Sequence, residues 1–257
     1  MKIGLIDVDG HNFPNLALMK ISAWHKAQGD SVNWWIGFEQ YDRVYMSKVF
    51  TFTPDIDTCI MADEVVKGGT GYDLKNKLPQ EIESMFPDYS LYNTKTAYGF
   101  LTRGCPRGCE FCVVAEKEGK CSKKVADLSN FWNGQKEIKL LDPNITACKD
   151  CKYLFKDLID SKAWIDFTQG LDIRLMTDEK ADLLNRMKIK MLHFAWDNYE
   201  FSTYEKLKRF RPQFKLDERR LRVYVLVNFE TDIEQDLERI YKLRELNYDP
   251  YVMVHDK

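Results

Sequence analysis

Short apolar runs, spaced by polar and glycine-bearing stretches, mark out the first 95 residues. KIGLIDV (2–8) reads as a buried-type β-strand. From Pro14 to Gln28 the apolar spacing turns helical, with Leu16, Met19, Trp24 and Ala27 able to share one side, and Gly29 stops the helix. SVNWWI and RVYMSKVF read as two further short strands, and EVVKGGTG as a strand running into a glycine turn. Strand–helix–strand order predicts a small open α/β sheet. Leu78–Asn93, with Pro79 and Pro87, reads as a linker lying over the surface.

Residues 96–257 alternate strand and helix patterns more regularly. Six apolar runs read as strands: YGFLT (98–102), EIKLL (137–141), WIDFT (164–168), MLHFA (191–195), RVYVLV (222–227) and PYVMV (250–254). Between the second and third, Cys151, Leu154, Phe155, Leu158 and Ile159 follow the i, i+3, i+4, i+7, i+8 spacing of a helix face. Ser202-Thr-Tyr-Glu205 and Thr231-Asp-Ile-Glu234 fit a capping box, in which a hydroxyl and a carboxylate satisfy free N–H groups at a helix start. Ile233, Leu237, Ile240, Tyr241 and Leu246 supply an apolar face for the last long helix. Repeated β–α units with right-handed crossovers give a parallel sheet, either doubly wound or closed as a barrel. Six units suggest an incomplete barrel, although periodicity alone does not separate it from an open sheet.

Composition narrows the class. The chain has 257 residues, 44% hydrophobic and 30% charged, enough for a sizeable core and too apolar for disorder. The formal net charge of −2 gives no global pull towards nucleic acid or anionic membranes. No apolar run is long enough to span a bilayer, and the N-terminus lacks the pattern of a signal peptide. The expectation is a cytoplasmic protein without membrane association. In that reducing compartment disulfides are rare, and clustered cysteines more often bind metal or do chemistry.

Five of the seven cysteines fall in two clusters: Cys105, Cys109 and Cys112, then Cys148 and Cys151. The first, Cys105-Pro-Arg-Gly-Cys109-Glu-Phe-Cys112, directly follows a strand and the Arg103-Gly104 turn. In a parallel α/β fold, loops at strand C-terminal ends build the site. Three thiolates on one such loop can converge on an iron–sulfur cluster and leave one iron open to a small molecule. A zinc site completed by Cys121, or by Cys148 and Cys151, is the alternative, and it would make the protein a non-catalytic interaction module.

The C-x3-C-x2-C spacing, with aromatic Phe111 just before the last cysteine, resembles the signature of the radical S-adenosylmethionine superfamily. The resemblance covers residues 96–257 and implies a partial (β/α)6 barrel whose cysteine loop follows the first strand. It implies a 4Fe–4S cluster held by Cys105, Cys109 and Cys112, with S-adenosylmethionine chelated at the open iron. Reductive cleavage would yield methionine and a 5′-deoxyadenosyl radical that abstracts hydrogen from substrate. An electron donor such as flavodoxin or ferredoxin would be a partner. The substrate, whether small molecule, peptide or nucleic acid, is not indicated. Residues at strand ends are the expected cofactor contacts. After the second strand, where the family often carries glycine-glycine-acid, stand Asp142 and Asn144. Gln169, Asp172 and Arg174 follow the third, Arg174 being the natural carboxylate partner. Asp197 after the fourth can accept from ribose hydroxyls, and Asn228 follows the fifth. Cys121, Cys148 and Cys151 resemble the makings of a second cluster, although Cys151 lies on an apolar helix face and Cys59 has no partner nearby.

Residues 1–95 resemble the small flavodoxin-like, cobalamin-binding-like domain that precedes the barrel in part of the superfamily. Asp9-Gly10-His11-Asn12-Phe13-Pro14 keeps the Asp and His of the histidine-on motif but has Pro14 in place of glycine, and Ser47 and Gly68-Gly69 follow in order. If His11 ligated cobalt, the protein would be a cobalamin-dependent methyltransferase of the same superfamily. Lys206, Lys208, Arg209, Arg211, Lys215, Arg219, Arg220 and Arg222, interleaved with Phe210 and Phe214, form a basic stretch. It reads as a nucleic-acid footprint or, more simply, as a solvated helix face.

Overall fold

The computed structural model describes residues 1–10 and 13–255. The chain divides into two compact units, Met1–Lys95 and Thr96–Lys257. Both are α/β units built on parallel sheets.

The first unit contains β1 (Lys2–Asp7), α1 (Leu16–Ala27), β2 (Ser31–Trp34), β3 (Tyr41–Ser47), β4 (Ala62–Gly68) and a single helical turn, α2 (Gln80–Glu83). Its sheet order is β2-β1-β3-β4, so the order reverses beside β1, as in doubly wound sheets. α1 starts where Asn15 accepts a hydrogen bond from the Leu18 amide at 3.2 Å. The helix buries Leu18, Met19, Ile21, Ser22 and His25. Of the four residues expected on its inner side only Met19 is buried, while Ala27 is exposed. The face is rotated because His25 can be buried. Its ring lies 2.6 Å from Asp30 and 3.0 Å from the Tyr45 hydroxyl, so its polar atoms stay partnered. The segment 78–93 corrects the linker expectation. Ile82 is 5% exposed and packs with Ile3, Leu5, Leu18 and Tyr45, and Lys20 bridges to Glu83 at 2.9 Å. The segment is part of the unit's core.

The second unit runs β5 (Thr96–Gly99), β6 (Thr102–Arg103), α3 (Val114–Lys117), β7 (Lys123–Lys124), β8 (Glu137–Leu140), α4 (Cys151–Ser161), β9 (Trp164–Leu171), α5 (Asp178–Arg186), β10 (Lys188–Ala195), α6 (Phe201–Phe210), β11 (Leu221–Val227), α7 (Ile233–Glu245) and β12 (Asp249–Val254). β6 and β7 form a small antiparallel pair that closes off the cysteine segment between them. The six long strands form one parallel sheet in strictly sequential order, β5-β8-β9-β10-β11-β12. One face carries Ile138, Leu140, Ile165, Phe167, Leu192, Phe194, Val223 and Val225, all buried. α4 packs on it, with Phe155 against Phe167 at 5.9 Å. The alternate positions are polar or aromatic, including Lys139, Asp166, His193 and Tyr224.

Two helix expectations are corrected. α6 begins after Glu200, which makes no side-chain cap, so Ser202 lies inside the helix and Thr203 is buried. At α7 the capping box is formed by Asp232 and Gln235, one residue further on. The expected apolar face of α7 is also largely wrong: Ile233, Leu237 and Tyr241 are exposed at 73%, 44% and 64%. The inward positions are Asp236, Arg239 and Leu243. Arg239 is fully buried and donates to the carbonyls of Trp196 (2.6 Å) and Leu226 (2.7 Å) and to Asp236. A guanidinium with that many acceptors ties the ends of β10 and β11 to the helix, and polar pairing replaces apolar burial.

Candidate functional site

The cysteine loop leaves the sheet after β5 and is held from several sides. Asp142, just beyond β8 and 4% exposed, accepts from the amides of Leu101 and Thr102 and from the Thr102 hydroxyl at 2.7 Å. Burial pushes its carboxyl up to about 6, against those hydrogen bonds. Asp142 is thus spent on shaping the loop and is not among the cavity residues described below. At Gly104 (φ +87°) the chain passes so close to the return strand that a Cβ would lie 2.3 Å from the Cys121 carbonyl oxygen. The Cys105 amide donates to the Gly119 carbonyl at 3.1 Å, and the Cys112 amide to the Cys109 carbonyl at 3.0 Å.

All seven cysteines are free thiols, and on the loop Cys105 and Cys109 are half-buried while Cys112 is exposed. The Cys109 thiol is raised, first by burial, then by Cys112, Asp197 and Cys105, with Arg174 opposing. Among the described residues no three His, Cys, Asp or Glu side chains are arranged to hold a single metal ion. A cubane cluster spreads its cysteine ligands further apart than one ion does, and three thiols would supply three of its usual four ligands and leave one iron open. The loop supplies three free thiols as candidate donors for such a cluster.

Cys109 borders a cavity of about 310 Å3 at the C-terminal ends of the strands. Phe111 lines it and meets Phe229 edge to face at 5.2 Å. Arg174 lines it too, bonded through Nε to Asp172 at 2.8 Å and lying 3.7 Å from Glu200. Asp197 lines it after β10. Burial pushes its carboxyl up to about 6, and its Oδ1 is buried without a partner. The buried Thr203 hydroxyl, also on the cavity wall, is likewise unpartnered.

Of the residues proposed from sequence, the cavity gathers Cys109, Phe111, Arg174 and Asp197. Asp172 stands behind it. Its side chain is 5% exposed and accepts from Arg107 on the cysteine loop (2.5 Å) and from Arg174, which hold its pKa low despite burial. Asn144 turns to the cysteines and donates to the Cys105 sulfur at 3.4 Å. Gln169 is exposed and outside the cavity lining. Asn228 is also outside it; in a left-handed turn (φ +64°), it donates to the His255 carbonyl at 2.8 Å. Arg107, Glu200, Thr203, Phe229 and Glu230 line the cavity and were not anticipated. Phe229 and Glu230 could have been found as the two residues after Asn228.

Cys148 and Cys151 are 4% and 1% exposed, and burial pushes the Cys151 thiol up to about 12. Both pack as small hydrophobes in the core, which sets them apart from the accessible thiols of the cysteine loop and from the exposed Cys121. Much of the basic stretch is internally engaged: Arg209 with Asp178, Arg211 with the Asn247 carbonyl and Arg222 with Asp249.

In the first unit, His11 lies outside the described residues. Asp9 caps the segment after β3, accepting from the Val49 amide (2.5 Å) and the Thr53 hydroxyl (2.8 Å). Asn15 donates to the Ser47 hydroxyl at 2.8 Å. Gly69 (φ +99°) lets that segment close down, since a Cβ there would lie 2.3 Å from the Lys48 carbonyl oxygen. The Lys48 backbone occupies the open side of Gly69, while Gly68 has nothing within 4 Å of its open side.

The chain matches no family model. Over 140 residues, 51% of the chain, it is 26% identical to a CDK5RAP1-like protein of Oryza sativa subsp. japonica. The matched stretch spans 23% of that relative's length, and a likeness of this extent does not fix a family. No described helix is long and apolar enough to cross a membrane.

Proposed function

We propose that residues 96–257 hold a 4Fe–4S cluster through Cys105, Cys109 and Cys112 and form a radical S-adenosylmethionine enzyme. The observation that carries this reading is the placement of three free thiols on one loop that borders, through Cys109, a cavity whose polar groups suit that co-substrate. When bound, the reduced cluster and S-adenosylmethionine supply a hydrogen-abstracting 5′-deoxyadenosyl radical. The chain's residues bind and orient. Arg174, held by Asp172, presents a planar donor fork for a carboxylate. Asp197 has a buried carboxylate oxygen free to accept from a ribose hydroxyl. Glu200 and Glu230 add acidic side chains to the cavity wall that would suit the positive charge of a sulfonium, and the Phe111–Phe229 pair gives the wall an apolar patch beside the cysteines.

The sheet order supports a partial barrel over a doubly wound sheet. Sequential parallel strands joined by right-handed crossovers carry all their helices on one face, and the sheet then curls around the other.

The test is anaerobic reconstitution. The protein should take up about four irons and four sulfides per chain, turn brown, and release 5′-deoxyadenosine from S-adenosylmethionine under dithionite. Alanine at Cys105, Cys109 or Cys112 should abolish both properties and Cys59→Ala neither. A colourless protein with stoichiometric zinc, or a full cluster that never yields deoxyadenosine, would overturn the reading.

A further inference from the structure

Asn144 is 3% exposed, and each of its polar side-chain atoms has an assigned place. Its Oδ1 accepts from the Thr146 hydroxyl at 2.7 Å, and its Nδ2 donates to the Cys105 sulfur at 3.4 Å. Oxygen and nitrogen of an amide are told apart by their hydrogen-bonding partners. Here Thr146 decides the matter. Its Oγ1 accepts from the Asp172 amide at 3.1 Å and donates its one proton to the Asn144 Oδ1. With the amide oxygen on Thr146, the NH2 faces sulfur. The backbone is fixed as well, because the Asn144 carbonyl accepts from the buried Ser122 hydroxyl at 2.8 Å.

We infer that Asn144 is a positioning residue that donates an N–H···S hydrogen bond to Cys105 and so raises the reduction potential of the cluster that this cysteine ligates. The inference rests on the proposed cluster but concerns a different property. A donor to a ligating sulfur stabilises the electron-rich reduced state, and such bonds are among the determinants of cluster potential. Because the donor is buried and oriented by Thr146, water cannot easily take its place. A family resemblance would give Asn144 a contact with the co-substrate instead, and the hydrogen bonds assign it to the cysteine.

The experiment is a one-electron redox titration with dithionite as reductant and mediator dyes, without S-adenosylmethionine, followed by visible absorption and electron paramagnetic resonance. Iron is counted on every sample. Asn144→Ala should shift the midpoint potential negative, and Asn144→Asp, which replaces a donor by a carboxylate, should shift it further. Thr146→Val, which frees the amide to turn, should shift it in the same direction by less. Asn133→Ala, on an exposed residue, should leave it in place. If the Asn144 variants lose iron, Thr146→Val provides the readout. Potentials equal to the parent's in all three variants at equal iron content would overturn the inference and leave the cluster standing. A parent that binds no iron would overturn both.

Discussion

Asp142 shows how one buried carboxylate can matter to the site without entering the cavity. Both of its oxygens accept from the segment leading into the cysteine loop, two of the three donors being backbone N–H groups that have no freedom to turn away. An amide has only one oxygen, so Asp142→Asn sets an NH2 against an N–H. The loss should be about 1–3 kcal/mol at about pH 5, read from urea unfolding. The pH dependence has a definite sign. Burial raises the folded-state value from the ordinary 3.8 to about 6. A raised acid contributes stability that is fully present below its unfolded value and is lost as pH rises through the folded one. The asparagine variant does not titrate there. The gap between parent and variant should therefore be widest below about pH 4, shrink as pH rises from about 4 to about 6, and level off above that. A gap that widens towards neutral pH would show that the carboxylate is stabilised by its donors more than it is disfavoured by burial.

At the scale of the element, the cysteine loop is a clamped segment. Glu118 pairs with Arg103 at 2.9 Å and accepts from the Gly104 amide at 3.2 Å, while Arg107 is tied to Asp172 beyond β9. Gly104 carries the tightest constraint. Its φ of +87° and the 2.3 Å approach to the Cys121 carbonyl leave no room for a methyl group. Gly104→Ala should cut reconstituted iron several-fold while far-ultraviolet circular dichroism stays close to the parent's. Parent-level iron in that variant would show that the loop can re-form around a side chain. The sequence revealed the glycine turn but not why it must be glycine, because the opposing carbonyl comes from Cys121, beyond the loop. The same division holds elsewhere. Strands buried among parallel neighbours read as apolar runs, so RVYVLV and EIKLL were legible as Leu221–Val227 and Glu137–Leu140. α7 was misjudged because Arg239 and Asp236 are inside, and only strand-end carbonyls far along the chain make that burial tolerable. Cys109, Phe111, Arg174 and Asp197 were legible as loop residues just past strand ends. Thr203 and Glu200 were hidden because their place depends on how α6 begins.

For the whole molecule, the two sheets differ in winding, and the difference decides where each can build a site. In the first unit the order reverses beside β1, and Asp9 at the end of β1 is bonded to the segment after β3. In the second, sequential order brings the loops after β5, β9, β10 and β11 around one cavity. Each unit also has its own core. Ile3, Leu5, Leu18, Ile21, Tyr45 and Ile82 cluster within residues 1–95, while Leu192, fully buried on β10, belongs to the six-stranded sheet. Leu18→Ala and Leu192→Ala should each destabilise by about 2–5 kcal/mol, the usual range for emptying such a site. Hydrogen exchange read by mass spectrometry should localise the damage. Leu18→Ala should lower protection in β1–β4 and leave β8–β11 unchanged, and Leu192→Ala should do the reverse. Sub-global opening follows cooperative units, and separate cores make separate units. If either substitution lowered protection equally in both sheets, the chain would open as a single unit. The cysteine site would then owe its stability to the first sheet as much as to the second.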